Sequence, residues 1–116
     1  MSKRGPDETV IRLSALEEDL LTLLIGRELY GLEIIAATET ASGGKRAIGV
    51  GSLYPTLHKM EKKGLVESWW GEETPEERGH ARRRYYTATG LGERVLRATQ
   101  QRRVGLAQWQ PAWGRA

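Results

Sequence analysis

Ser52, Thr56, Lys59 and Lys63 recur four, three and four residues apart within GSLYPTLHKMEKKG. That spacing puts two hydroxyls and two ammonium groups on one face of a helix. Leu53, Leu57 and Met60 recur on another face and can line a buried stripe. Upstream, Lys45 and Arg46 sit in the glycine-rich SGGKRAIGVG. Downstream, HARRRYY concentrates Arg82, Arg83 and Arg84. Guanidinium forks and ammonium groups bind phosphate oxygens, and hydroxyls and amines can also reach base edges. The chemistry on offer is recognition of a polyanion.

Catalysis has no comparable set of residues. No serine stands in a G-x-S-x-G elbow, and Ser52 has no partner base set by spacing. GVGSLY opens like a dinucleotide fingerprint, but Tyr54 occupies the third glycine position and no βαβ unit surrounds it. GGKR lacks both the spaced glycine and the Ser/Thr of a phosphate-binding loop. The chain has no cysteine, and His58 and His80 are isolated, so no metal or cofactor is expected. The expectation is a protein that is not an enzyme.

The charge pattern agrees with a polyanion partner. The net charge of the 116 residues is only +3. It is segregated, however: the segments 43–64 and 78–103 are strongly basic, whereas 7–33 and 71–77 are acidic. No apolar run approaches the roughly 20 residues of a membrane span. The opening MSKRGPDETV lacks the apolar region of a signal peptide, so a cytoplasmic location is expected.

These groups need elements to position them. SALEEDLLTLLIG opens with a capping-box pattern, Ser14 and Glu17, and predicts a helix burying Leu16, Leu20, Leu23 and Leu24. Gly26 stops it, and LYGLEIIAATETA restarts a helix after Gly31 through Ile34, Ile35 and Thr38. SGGKRAIGVG predicts a loop with one short extended stretch at 47–50. The third helix follows, with Pro55 tolerated in its first turn and Gly64 closing it. LVESWW and RRYYTAT read as a two-stranded ribbon joined by the long loop GEETPEERGHAR. A final helix runs from Leu91 until Pro111 ends it near Trp109.

The predicted fold is mainly α with a small two-stranded β wing. Residues 1–89 would form a winged helix-turn-helix DNA-binding domain, and 90–116 a C-terminal dimerisation helix and tail. In such folds the N-terminal residues of the recognition helix meet base edges. Ser52, Tyr54, Pro55, Thr56, Lys59 and Lys63 are therefore candidate double-stranded DNA contacts, with Lys45 and Arg46 leading in. Arg82, Arg83 and Arg84 cannot all meet one surface if they lie on a strand, because neighbouring side chains alternate. The acids Glu72, Glu73, Glu76 and Glu77 argue against deep insertion of the wing loop and suggest a solvated tip. Leu91, Val95, Thr99, Arg102, Leu106 and Trp109 share the last helix or its end, and their apolar stripe predicts a homodimer. The competing expectation is a winged-helix module that binds protein or small ligands without specific DNA affinity.

LYGLEI, GSLYPTLHKMEKKGLVESWW and RRRYYTATGLG together resemble the PadR family of bacterial transcriptional regulators. The resemblance runs from about Leu16 to Leu96. It implies a homodimeric winged-helix protein, usually a repressor at inverted repeats, whose terminal helix exchanges contacts with its partner. Tyr54 and Pro55 match the family's Leu-Tyr-Pro, Lys59 a frequently basic position, and Arg83 and Arg84 the entry to the second wing strand. Tyr85 and Tyr86 match a tyrosine pair, of which Tyr86 is expected in the core because Ala88 shares its face. Leu32 departs from the family's tyrosine at that position, and Ala88 and Gly90 depart from its usual leucine and acid. Some relatives hold aromatic drugs between tryptophans of the terminal helix, where this chain has Gln101, Arg102 and Arg103. That pocket is not expected here, and Trp109 and Trp113 are assigned to packing. A small-molecule inducer is compatible with the resemblance but is not identified by it.

Overall fold

The computed structural model describes residues 11–79 and 81–113. His80 and the opening MSKRGPDETV lie outside the described residues. Helix α1 spans Ala15–Leu24 and carries the expected cap. The Ser14 hydroxyl accepts from the Glu17 amide at 3.1 Å, and the Glu17 carboxylate accepts from the Ser14 amide at 2.8 Å. Leu20, Leu21 and Leu24 are fully buried, whereas Leu16 and Leu23 are half-buried. Leu21 takes an inner place because α1 is covered from several sides, by α2 (Gly31–Ala41), α3 (Val50–Lys62) and α5 (Gly90–Gln108).

The sheet has one strand more than the expected ribbon. β1 (Leu29–Tyr30), β2 (Val66–Trp70) and β3 (Arg84–Ala88) are antiparallel in the order β1–β3–β2. Leu29 pairs with Tyr86 and Tyr30 with Tyr85. Ser68 faces Tyr86 and Trp69 faces Tyr85 in the other ladder. A two-residue strand has no alternation to read, and only β3 supplies its hydrogen-bond partners. Between β2 and β3 the loop forms a short helix, α4 (Pro75–Arg78), where Thr74 and Glu77 make a second capping box. Glu72, Glu76 and Glu77 are exposed in this loop, and Glu73 is half-buried.

Two further expectations change. Residues 47–49 are irregular, not extended, and the loop is closed instead by polar contacts. Ser42 Oγ accepts from the Arg46 amide at 2.9 Å, and Thr38 Oγ1 accepts from the Ile48 amide at 3.1 Å. Helix α3 starts at Val50, so Pro55 lies in its second turn rather than its first. The ring removes one backbone bond, the one to the Gly51 carbonyl. Gly51 is exposed, so water can serve that carbonyl in its place.

One core joins the elements: Leu20, Leu24, Ile34, Leu53, Leu57, Met60, Leu65, Val66, Tyr86, Val95 and Leu96 are all buried in it. Gly64, at φ 78°, ends α3 in the left-handed region, and the Leu65 amide donates back to the Met60 carbonyl at 2.9 Å. Thr89 caps α5 by accepting from the Gly92 amide at 3.0 Å. Gly92 has to be small, because a Cβ there would lie 2.9 Å from Leu21 Cδ2 and 3.1 Å from the Leu65 carbonyl carbon. Helix α5 thus crosses close over α1 and the start of β2.

Candidate nucleic-acid interface

Helix α3 divides as its periodicity requires. Leu53, Leu57 and Met60 are fully buried, while Ser52, Pro55 and Lys59 are exposed and Thr56 is half-buried. Three buried apolar side chains hold the helix on the domain, and its opposite face stays in solvent. Arg46 and Ser52 line one cleft of about 520 Å³ beside Asp19 and Thr38, so the loop and the start of α3 share a surface. Lys45 is exposed in the same loop.

Tyr54 is only 43% exposed. Its ring lies against the first residue of α2, where a Cβ on Gly31 would stand 2.9 Å from Tyr54 Cζ and nearer still to the hydroxyl. Lys63 lies just beyond α3, and its Nζ donates to Glu17 Oε2 at 3.2 Å. It therefore braces α1 against the end of α3, while its side chain stays 43% exposed. Burial pushes the Glu17 carboxyl up, but the Ser14 amide and Lys63 outweigh it and hold the group below its ordinary value.

The wing arginines part in two directions, although β3 begins only at Arg84. Arg82 and Arg84 lie over the Trp70 ring, at 4.7 Å and 5.0 Å. Arg84 Nε also donates to Ser68 Oγ at 3.0 Å, and Ser68 donates to Glu61 at 2.8 Å. Arg83 lies over Tyr30 at 4.5 Å. The Tyr85 hydroxyl beside Arg83 raises its pKa above the ordinary arginine value. Tyr85 donates in turn to Glu73, and that hydrogen bond raises the Tyr85 pKa. Arg82 is exposed, whereas Arg83 and Arg84 are half-buried in contacts within the chain. Sequence reading had no signal for Glu61, Ser68 or Glu73 as their partners, because each contact joins separate elements.

Helix α5 corrects the expected dimerisation stripe. Val95 and Thr99 are buried in the chain's own core, and Leu91 packs half-buried against it. Close crossing over α1 consumes this first half of the helix. Arg102 is half-buried, and Arg103 pairs with Glu18 of α1 at 2.5 Å. The apolar surface left in solvent lies farther on: Val104, Leu106, Trp109 and Trp113, with Leu106 73% and Trp109 69% exposed.

Among the described residues no group of His, Asp or Glu is arranged to hold a metal ion, and no helix is long and apolar enough to cross a membrane. The pattern of the transcriptional regulator PadR-like family matches residues 20–98. A PadR family transcriptional regulator from Eggerthella lenta is 27% identical, with a TM-score of 0.66 over 79% of this chain and 74% of that one. A transcriptional regulator from Clostridium thermocellum is 28% identical, with a TM-score of 0.65 over 80% of this chain and 85% of that one. An uncharacterized protein of Lysinibacillus sphaericus is 27% identical over 81 residues, 70% of this chain and 71% of its own. The matched span takes in α2, α3, the whole wing and the part of α5 that packs on the core, and on that ground the chain belongs to the PadR-like family of transcriptional regulators.

Proposed function

We propose that this chain binds double-stranded DNA as a homodimer and represses transcription from an inverted-repeat operator. One observation carries the reading. Helix α3 buries Leu53, Leu57 and Met60 completely while Ser52 and Lys59 stay exposed on its outer side, with Thr56 at the margin. A helix fixed in this way can enter the major groove with its first turns at the bases. Lys59 can donate to guanine and Thr56 can touch a thymine methyl. Lys45, Arg46 and Arg82 supply exposed charge for phosphates. The exposed apolar end of α5 gives the second copy a surface to cover, and two-fold pairing would place two α3 helices about 34 Å apart, one turn of DNA. In this reading the protein acts in the cytoplasm.

The test is titration of the full chain against its own promoter fragment and a scrambled duplex. Preference for the promoter, with affinity falling steeply as salt rises, supports the reading. The engagement of Arg83 and Arg84 inside the wing favours a second reading, a module that binds other ligands without specific DNA affinity. No binding to either duplex, or only weak binding without preference that salt abolishes, would select it.

A further inference from the structure

The outer face of the wing sheet carries a row of aromatic rings that the DNA reading does not use. Tyr30, Tyr85 and Trp69 stand side by side across β1, β3 and β2. Trp69 and Tyr85 are stacked at 15° with 6.3 Å between ring centres, and Tyr30 meets Tyr85 edge-on at 5.5 Å. All three rings are half-buried, so part of each remains open. Beside them lies a cleft of about 340 Å³ whose walls include Trp69 and Tyr85. Trp70, Gly71, Glu28 from the turn before β1, and Glu72 and Glu73 from the loop after β2 complete it.

The loop is shaped around this cleft. A Cβ on Gly71 would stand 2.7 Å from the Tyr85 ring and closer still to the Glu73 carboxylate. The missing side chain lets that carboxylate lie against the ring and accept from the Tyr85 hydroxyl. Glu28 and Glu72 are exposed and have no ion-pair partner among the described residues. Ring faces attract cations through their quadrupole, and carboxylates at the rim reinforce the same sign. Neighbouring rings already take three guanidinium groups, that of Arg83 over Tyr30 and beside the Tyr85 hydroxyl, and those of Arg82 and Arg84 over Trp70. This aromatic surface therefore suits a cation, and none of the three arginines lines the cleft itself.

We propose that this cleft binds an organic cation, a guanidinium or substituted ammonium group carried on a small apolar body. The aromatic wall selects against a bare metal ion, and the rim selects against anions. The volume lies at the small end of ligand pockets, which suits one ring bearing one charged group. The site rests on the three-stranded sheet and the segments before β1 and after β2, and stands or falls separately from the operator reading.

Calorimetric titration of the full chain with phenylguanidinium, and with phenylurea as its neutral isostere, tests the proposal. Phenylguanidinium is expected to bind saturably and at least about ten-fold more tightly than phenylurea. Trp69→Leu should weaken it about ten-fold, with the fold checked by circular dichroism. Should Trp69→Leu disturb the sheet, the double variant Glu28→Gln/Glu72→Gln gives the same test, because both side chains are exposed. It should weaken phenylguanidinium several-fold and leave phenylurea unchanged. Equal affinity for the two compounds, no saturable binding, or loss of binding only in Trp109→Ala/Trp113→Ala overturns the proposal.

Discussion

The ring of Tyr54 lies against Gly31 so closely that a Cβ on the glycine would stand 2.9 Å from Tyr54 Cζ. Gly31 is not one of the glycines with positive φ, so close approach rather than backbone freedom explains it. The contact sets how near α2 and α3 come, and so the pose of the helix proposed to read DNA. Gly31→Ala should cost about 1–2 kcal/mol and turn the Tyr54 ring outward. Tyr54→Phe should recover part of that loss in the double variant, because the hydroxyl is the nearest obstacle. Thermal melts of the single and double variants check it.

Glu17 and Lys63 join α1 to the end of α3, and the carboxyl is held below its ordinary value of 4.5 in the folded chain. A depressed carboxyl contributes stability that is fully present above its unfolded pKa and lost as pH falls through the folded one. Stability should therefore decline on acidification below about pH 4.5, and Glu17→Gln should flatten that limb. Lys63 is 43% exposed, so solvent screens the pair and Lys63→Ala should cost about 0.5–1 kcal/mol at neutral pH. Urea titrations across the acid range decide both points. A Lys63→Ala variant with normal stability and a weaker salt slope would return Lys63 to the DNA face.

The wing arginines should differ in effect. Arg82 is exposed, so Arg82→Ala should lower the salt slope of DNA binding by about one unit and cost at most about 1 kcal/mol through the lost Trp70 contact. Arg84 is tied to Ser68 and Glu61, so Arg84→Ala should lower the melting temperature while changing the slope less. Salt-dependent binding isotherms, paired with melts, separate the two. Identical slopes in wild type and Arg82→Ala would remove Arg82 from the interface.

Helix α3 should separate reading from folding. Lys59→Ala and Thr56→Ala should weaken promoter binding by about 1–3 kcal/mol and random duplex by less. Leu57 is fully buried, so Leu57→Ala should cost about 2–5 kcal/mol of fold stability instead. Should the Thr56 and Lys59 variants lose both duplexes equally, α3 does not read sequence.

Assembly should depend on the end of α5. Leu106 and Trp109 are exposed, so Leu106→Ala/Trp109→Ala should dissociate the dimer while the domain stays folded. Val95 is fully buried in the chain's own core, so Val95→Ala should lower the melting temperature first. Sedimentation at micromolar concentration distinguishes the outcomes, and a folded wild-type monomer there would sink the dimer.

What the chain's order of residues determined by itself is whatever depends on near neighbours. Ser14 and Glu17 are three residues apart, so their reciprocal cap is legible before any fold exists. The same holds for the turn at Gly64, for the period of Leu53, Leu57 and Met60, and for the shared face of Tyr86 and Ala88. These also carry the family resemblance, and with it the order of helices and wing. Tertiary structure alone decided the rest. Leu29 and Tyr30 become a strand only because β3 arrives to pair with them. Val95 and Thr99 are apolar enough for either a partner or a core, and the close crossing allowed by Gly92 put them in the core. Arginine is equally suited to phosphate, carboxylate or an aromatic face, so its type could not say where Arg82, Arg83 and Arg84 would go. Trp70 drew Arg82 and Arg84, Tyr30 drew Arg83, and Ser68 and Glu61, brought near by the sheet and α3, tied Arg84 down and left Arg82 the most exposed.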